Sequence, residues 1–235
     1  ESEPSYWTAG RSIGVPRGKT LGGSSSINGH IYNRGQRMDF DGWAQRGNKG
    51  WGYADVLPYF KRCEQKIGNG DDFFRGREGN LSVTDLDYQH PLCEAFMKGA
   101  EEVGIPRNSD YNGMDQAGVS YVQRTVRSRR RVSTARAFLK PARGRPNLVV
   151  KTRAHATRLI LKDKRAVGVE FTKGGRGGAL TQVRATREVI VSGGAINSPQ
   201  LLQLSGIGPG DLLHERGIPV IHELRGVGEN LRDHY

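Results

Sequence analysis

The sequence predicts a loop-rich globular protein of the α/β or α+β class. Hydrophobic residues fill 35% of its 235 positions and charged residues 26%, a mixture too apolar for a disordered chain. Its 33 glycines supply many turns. Runs that alternate apolar and polar like strands are interspersed with runs at helical spacing. The length suits one large domain or two small ones.

In chain order, the first fifty residues are polar, with Gly10, Gly14, Gly18, Gly22, Gly23 and Gly29 too close together for an uninterrupted helix. They read as extended loop with a short helix near 24–31. Residues 54–64 put Val56, Leu57, Phe60 and Cys63 at near-helical spacing, which predicts a core-facing helix despite Pro58. Residues 80–84 alternate like a strand. Residues 91–103 then set Leu92, Ala95, Phe96, Gly99, Ala100 and Val103 on one helical face before Gly104 ends it. Residues 119–123 alternate again, and Ser133 with Thr134 can cap a short helix reaching Leu139. In the last third, runs at 148–152, 157–161, 167–171 and 189–191 predict a small meander feeding a buried strand. From there Ser198 and Pro199 give a favourable N-cap and first helical position for the apolar run that follows.

The 36 Lys and Arg against 24 Asp and Glu give a net charge of +12, which favours nucleic acid, anionic lipid or a phosphate-bearing cofactor. Only Cys63 and Cys93 occur, both in predicted helices, so neither a disulfide framework nor a cysteine-based zinc site is expected. A reducing compartment is inferred. No apolar stretch approaches a membrane span, and the start at Glu1 has neither Met nor the pattern of a secretion signal. An internal piece of a longer protein is the expectation.

No segment satisfies the dinucleotide fingerprint G-x-G-x-x-G between strand and helix; Gly206, Gly208 and Gly210 follow a predicted helix and enclose Pro209. Residues 17–28, RGKTLGGSSSIN, follow a different logic. Paired glycines let backbone N–H groups approach an anion, and the serines add donors and cap a turn. The alternative for this segment is a purely structural loop. Arg124, Arg127, Arg129, Arg130, Arg131 and Arg136 could track a phosphate backbone, and the glycine cluster at 174–178 resembles an RNA-binding repeat. A solvated face and a hairpin loop explain both as well. The six histidines show no metal spacing, and no metal site is expected.

Two longer motifs are more specific than their chemistry. Residues 16–35, PRGKTLGGSSSINGHIYNRG, and residues 194–209, GAINSPQLLQLSGIGP, resemble the first and second signatures of the glucose–methanol–choline oxidoreductases, in the expected order. DFDGW at 39–43, WGYADVLPYF at 51–60, STAR at 133–136, RAVGV at 165–169 and GVGENLRDH at 226–234 look like further family segments. The likeness covers essentially the whole chain and is greatest to bacterial choline dehydrogenases and related alcohol dehydrogenases.

The resemblance implies an α/β FAD/NAD(P)-binding-type domain, incomplete because its first βαβ unit is absent, interrupted by part of an α+β substrate-binding domain. Residues 1–61 would be flavin-domain extension and lid, 62–130 substrate-binding domain, and 131–235 flavin domain again. It implies FAD and oxidation of a primary alcohol by hydride transfer to the flavin. Gly22, Gly23 and Ser24 would lie against the diphosphate–ribityl region, and Asn28, Gly29, His30 and Ile31 near the isoalloxazine. Ala156 would meet the adenine through its backbone, and Ser192 and Gly193 would end a strand beside the cofactor. Ile27 stands where some family oxidases carry a flavin-linking histidine, so dissociable FAD is expected. Gly52 stands where a helix-capping serine is frequent. The family's fingerprint should precede Glu1 and its catalytic histidine should follow Tyr235, so no catalytic residue is assigned and no turnover by these residues alone is expected. The implied partners are an alcohol and an electron acceptor, oxygen or a quinone, with no nucleic acid. A cytoplasmic or peripheral inner-membrane location is implied. The competing readings are a basic nucleic-acid-binding protein and a non-catalytic remnant.

Overall fold

The computed structural model describes residues 2–175 and 177–232. Glu1, Arg176 and residues 233–235 fall outside it, and with them the middle of the glycine cluster, His234 and the end of the family-like segment 226–234. Helices and strands are mixed, and the chain divides into two compact units, Glu1–Leu148 and Val149–Tyr235. No helix among the described residues is long and apolar enough to cross a membrane.

In the first unit, α1 (Arg37–Gln45) and α2 (Tyr53–Cys63) pack around Phe40, Tyr53, Leu57 and Phe74, with Val56 and Phe60 against them. Gly52 caps α2 as expected, and Asp55 Oδ2 accepts from its N–H at 3.1 Å. Cys63, expected on the core face, is exposed because the chain turns into β1 at the next residue. β1 (Glu64–Ile67) and β2 (Leu81–Thr84) pair in parallel, Glu64 beside Leu81. The turn region between them needs glycine twice: a Cβ on Gly76 would lie 1.9 Å from the Lys61 carbonyl oxygen, and one on Gly79 2.2 Å from the Cys63 carbonyl carbon.

α3 (Pro91–Glu102) follows, and Gly104 leaves it with φ +86°. Its apolar stripe is largely uncovered among the described residues, since Leu92, Phe96 and Val103 are exposed and Met97 alone is buried. The strand expected at 119–123 is absent. Val119 makes a single bridge to Arg107, while Gln123 is buried by its side-chain hydrogen bonds rather than by a sheet. β3 (Val126–Arg127) and β4 (Arg130–Arg131) form a tight hairpin whose central residues, Ser128 and Arg129, have φ of +48° and +59°. Arg136 N donates to Ser133 Oγ at 3.4 Å, and the turn this opens is wide, Ala135–Leu139, before the short α4 (Lys140–Ala142).

Below this lies a buried charged network. The Glu64 carboxylate, with no solvent exposure, accepts from Arg34 Nη2, from Arg75 Nη2 and Nε, and from the Gly76 N–H at 3.1 Å. Arg75 Nη1 continues to Asp110 and to Gln123 Oε1. The several hydrogen bonds to each Glu64 oxygen are what make burying this carboxylate tolerable, although Asp110 Oδ2 at the edge of the network has no partner among the described residues.

In the second unit, β5 (Ala154–Lys162), β6 (Arg165–Lys173) and β7 (Ala179–Arg184) form an antiparallel meander; β5 and β6 carry the expected runs at 157–161 and 167–171, whereas the third strand, β7, is not among the expected ones. α5 (Gly194–Leu204) packs on β5, and Ser205 Oγ accepts from Leu159 N at 2.8 Å. β8 (Ile207–Gly208) pairs in parallel with β9 (His222–Glu223), with α6 (Gly210–Glu215) between them. Three expectations fail. Residues 148–152 and 189–191 lie outside any strand among the described residues, and Val149 and Ile190 are exposed, because β propensity without a neighbouring strand gives no ladder. α5 starts at Gly194 rather than after Ser198, leaving Pro199 inside it. Instead of capping, Ser198 Oγ accepts from Gly193 N at 2.9 Å.

Candidate functional site

The glycine-serine segment folds as a tight loop in the first unit. The helix expected at 24–31 is a single 3-10 turn, Gly23–Ser26, since Gly22 and Gly23 enter it with φ of +90° and +55°. Gly18 is sterically obligatory, because a Cβ there would lie 2.1 Å from the Gly23 carbonyl oxygen. Its N–H donates to Ser24 Oγ at 3.2 Å. Ser25 Oγ donates to the Gly22 carbonyl at 2.5 Å and Ser26 Oγ to the Leu21 carbonyl at 2.9 Å. The protons of these two serines are thus spent inside the loop. The Gly22 N–H makes no hydrogen bond among the described residues and remains a free donor at the bend.

Asn28, Gly29, His30 and Ile31 continue the same loop. Asn28 Oδ1 accepts from His30 N at 3.1 Å and from Arg131 Nη1 at 2.7 Å. His30 has φ +51°, and its carbonyl accepts from Thr125 N at 2.8 Å. Its Nδ1 is buried without a partner among the described residues. Burial first, then the charges of Arg131 and Arg124, holds its pKa below the ordinary 6.5, so the ring is neutral at pH 7. Ile27 and Ile31 are exposed.

Sequence reasoning missed the bed on which this loop rests. Residues 123–134 run beneath it: Tyr32 N donates to the Gln123 carbonyl at 2.8 Å, and Ile31 forms an antiparallel bridge with Arg124. Thr134 N donates to Ser25 Oγ at 3.0 Å, and Thr134 Oγ1 donates to the Gly22 carbonyl at 3.2 Å. The arginines are therefore not one stripe. Arg124 pairs with Asp87 at 3.0 Å, Arg127 donates to Gln65 Oε1 at 3.2 Å, and Arg131 turns to the loop. The signal was the hairpin: pairing of Arg127 with Arg130 and of Val126 with Arg131 separates the side chains that sequence shows as one run.

In the second unit Ala156 lies on β5 opposite Phe171, beside a register shift that ends at Arg158. Ser192 and Gly193 are exposed and lead directly into α5 rather than ending a paired strand. At Gly193 a Cβ would stand 3.2 Å from Asn197 Cβ and 3.3 Å from Ser198 N, so a side chain would crowd the first turn of α5. A separate cleft of about 440 Å³ in the first unit is lined by Arg37, Tyr53, Phe73, Tyr111 and Gln116 among others, none of them in the sequence-derived set. Among the described residues no cluster of His, Cys, Asp or Glu suits a metal.

The family model for GMC oxidoreductases matches residues 5–235. The oxygen-dependent choline dehydrogenase of Brucella ovis is 48% identical over 233 residues, covering 99% of this chain and 42% of that protein. An FAD-dependent oxidoreductase from Chaetomium thermophilum superposes with a TM-score of 0.92 at 33% identity, again over 99% of this chain and 42% of the other. Pyridoxine 4-oxidase from Mesorbium loti gives 0.85 at 35% identity over 94% of this chain and 43% of its own. The chain thus spans about two-fifths of the length of the curated relatives it matches. Sequence motifs, family model and backbone agree, and the chain belongs to the GMC oxidoreductase family.

Proposed function

We propose that the full-length protein containing this chain is an FAD-dependent oxidoreductase that oxidises the CH–OH group of a primary alcohol, choline-like or otherwise. One observation carries the reading. The 22–31 loop offers uncommitted donors, the Gly22 N–H and the Asn28 amide nitrogen, beside Arg131, which has no carboxylate partner among the described residues. Such a set suits a ligand with many acceptor atoms and negative charge, as FAD has.

When bound, FAD supplies the hydride acceptor. This chain's part is to hold it: Gly22, Gly23 and Ser24 against the diphosphate–ribityl part, Asn28, Gly29, His30 and Ile31 at the ring, and Ala156, Ser192 and Gly193 from the second unit. Residues 1–61 and 131–235 would serve the cofactor and 62–130 the substrate. The neutral His30 presents no cationic charge of its own. With Ile27 at the attachment position, the flavin is non-covalent. The names of similar proteins, an oxygen-dependent choline dehydrogenase, a pyridoxine 4-oxidase and a fungal aryl-alcohol oxidase, support an alcohol as substrate and oxygen as the electron acceptor, with a quinone as the alternative acceptor. Cytoplasmic or peripheral inner-membrane placement accompanies this reading.

The test is flavin absorbance of the purified full-length protein, followed by acid precipitation. Yellow protein that releases all its flavin into the supernatant is expected. Colourless protein overturns the flavin reading, and flavin that stays with the precipitate overturns the non-covalent one. Nucleic acid is not a partner in this reading: of the six clustered arginines, Arg124, Arg127 and Arg131 are committed to Asp87, Gln65 and the loop, which breaks the run.

A further inference from the structure

We propose that Arg131 is a positioning residue for the flavin: it locks the Asn28 side-chain amide so that its NH2 group faces the cofactor as a donor, and it adds an unneutralised positive charge there. The inference rests on the flavin reading above. Arg131 lies 103 residues from Asn28 in sequence, yet its Nη1 donates to Asn28 Oδ1 at 2.7 Å and reaches the Ser25 carbonyl at 3.4 Å.

The amide orientation follows from these bonds. Asn28 Oδ1 accepts twice, from Arg131 and from the His30 N–H at 3.1 Å. Neither donor could be met if the amide were flipped, because a guanidinium and a backbone N–H have no acceptor. The oxygen is therefore held inward, and Nδ2 makes no hydrogen bond among the described residues and projects from an exposed residue as a pure donor. The pyrimidine edge of an isoalloxazine carries carbonyl oxygens and ring nitrogens that accept. The His30 N–H already favours this face, and the shorter, charge-assisted bond from Arg131 fixes it.

The hairpin is what delivers the guanidinium. Ser128 and Arg129 take left-handed backbone at the tip, so Arg131 returns beside Val126 and points to the loop, while Arg130 is exposed. Val132 N donates to the Thr125 carbonyl at 2.8 Å, and Thr125 N in turn holds the His30 carbonyl at 2.8 Å. Arg131 and its target are thus fixed to one backbone. Nothing acidic neutralises the charge: no carboxylate among the described residues forms an ion pair with Arg131.

The experiment uses the full-length flavin-loaded protein carrying Arg131→Met, Arg131→Lys, Asn28→Ala, the Asn28→Ala/Arg131→Met pair, and Arg130→Gln as a surface control. Arg131→Met is expected to weaken FAD binding at least about tenfold, the loss of one charge-assisted hydrogen bond. It should also shift the flavin absorbance bands and lower the reduction potential, since a cation near the ring favours electron uptake. Arg131→Lys should recover part of the potential, because its charge remains, but less of the band position, because its ammonium lacks the fixed fork. Arg130→Gln should match the parent.

If Arg131 acts through Asn28, the double variant binds FAD no more weakly than Asn28→Ala beyond what loss of the charge explains, so the two effects are not additive. Strictly additive effects, or an Arg131→Met protein whose spectrum, potential and FAD affinity equal the parent's, overturn the inference. A parent protein that binds no flavin overturns the underlying reading instead, and the two failures are thereby told apart.

Discussion

The Arg75 Nε lies 3.1 Å from Glu64 Oε1, and neither side chain has any exposure to solvent. With Arg34 on its other oxygen, Glu64 joins the start of β1 to the segment that leads into α1 and to the turn before β2. Such a buried cluster adds little net stability over an apolar replacement, but breaking it is costly because a partner charge is left buried and unpaired. Glu64→Gln should therefore destabilise the protein by about 3–5 kcal/mol. Urea denaturation measures it, and a midpoint equal to the parent's would show that the network relaxes without cost.

Gly18 lets two strands of backbone touch where the glycine-serine loop closes. A Cβ there would meet the Gly23 oxygen at 2.1 Å and the Ser24 nitrogen at 2.7 Å, both backbone atoms that no rotamer change can move. Gly18→Ala should open the loop, cost about 1–3 kcal/mol by overpacking, and lower flavin retention. Gly144→Ala is the control, since nothing lies within 4 Å of its added carbon. Flavin-to-protein absorbance ratios of the two purified variants decide it, and a Gly18→Ala ratio equal to that of Gly144→Ala would count against a close-packed cofactor loop.

What the sequence discloses here is local, and what it conceals is pairing. The helical stripe of Leu57 and Phe60 and the alternation at 157–161 and 167–171 can be read because each element's period is its own property. The runs at 148–152 and 189–191 have the same β-branched composition but no ladder among the described residues, because a strand exists only when another chain segment lies beside it. The tight loop at 22–31 was visible in its glycines and serines. The Thr134 and Arg131 contacts that brace it were not, because no periodicity links positions about a hundred residues apart. The network around Glu64 was hidden for the same reason: Glu64, Arg75 and Asp110 look like ordinary surface charges until the fold encloses them.

His30 should titrate below 6.5 in the folded protein, with burial and the nearby Arg131 and Arg124 as the causes. The unfolded chain takes up its proton near 6.5 and the native loop only at lower pH. The stability this residue contributes is therefore complete above that value and is lost as pH falls through the native pKa. Arg131→Gln removes one of the repelling charges and should move the titration back toward 6.5. Imidazole resonances followed by NMR across pH 4–8, on the order of half a unit per point, would read both effects. A His30 that titrates at or above the ordinary value would refute the burial and charge argument.

Glu170 offers the opposite case in the second unit. Its carboxylate accepts from Arg158 Nη2 at 2.9 Å and Nε at 3.0 Å, from Gln182 Nε2 at 3.0 Å and from Thr157 Oγ1 at 3.1 Å. The Arg158 hydrogen bonds first, then those of Gln182 and Thr157, pull its pKa from 4.5 to about 2. All three partners bind the charged form, so the sign is that of a carboxylate stabilised on folding. Its contribution is complete above pH 4.5, declines as the unfolded chain begins to protonate below it, and is gone once pH has passed about 2. In Glu170→Gln this dependence should vanish, so the melting temperatures of parent and variant should converge between those two limits and differ most above the upper one. Thermal melts at steps of pH test it, and a constant difference between the two proteins down to the lower limit would mean that this cross-strand cluster does not hold the carboxylate in its charged form.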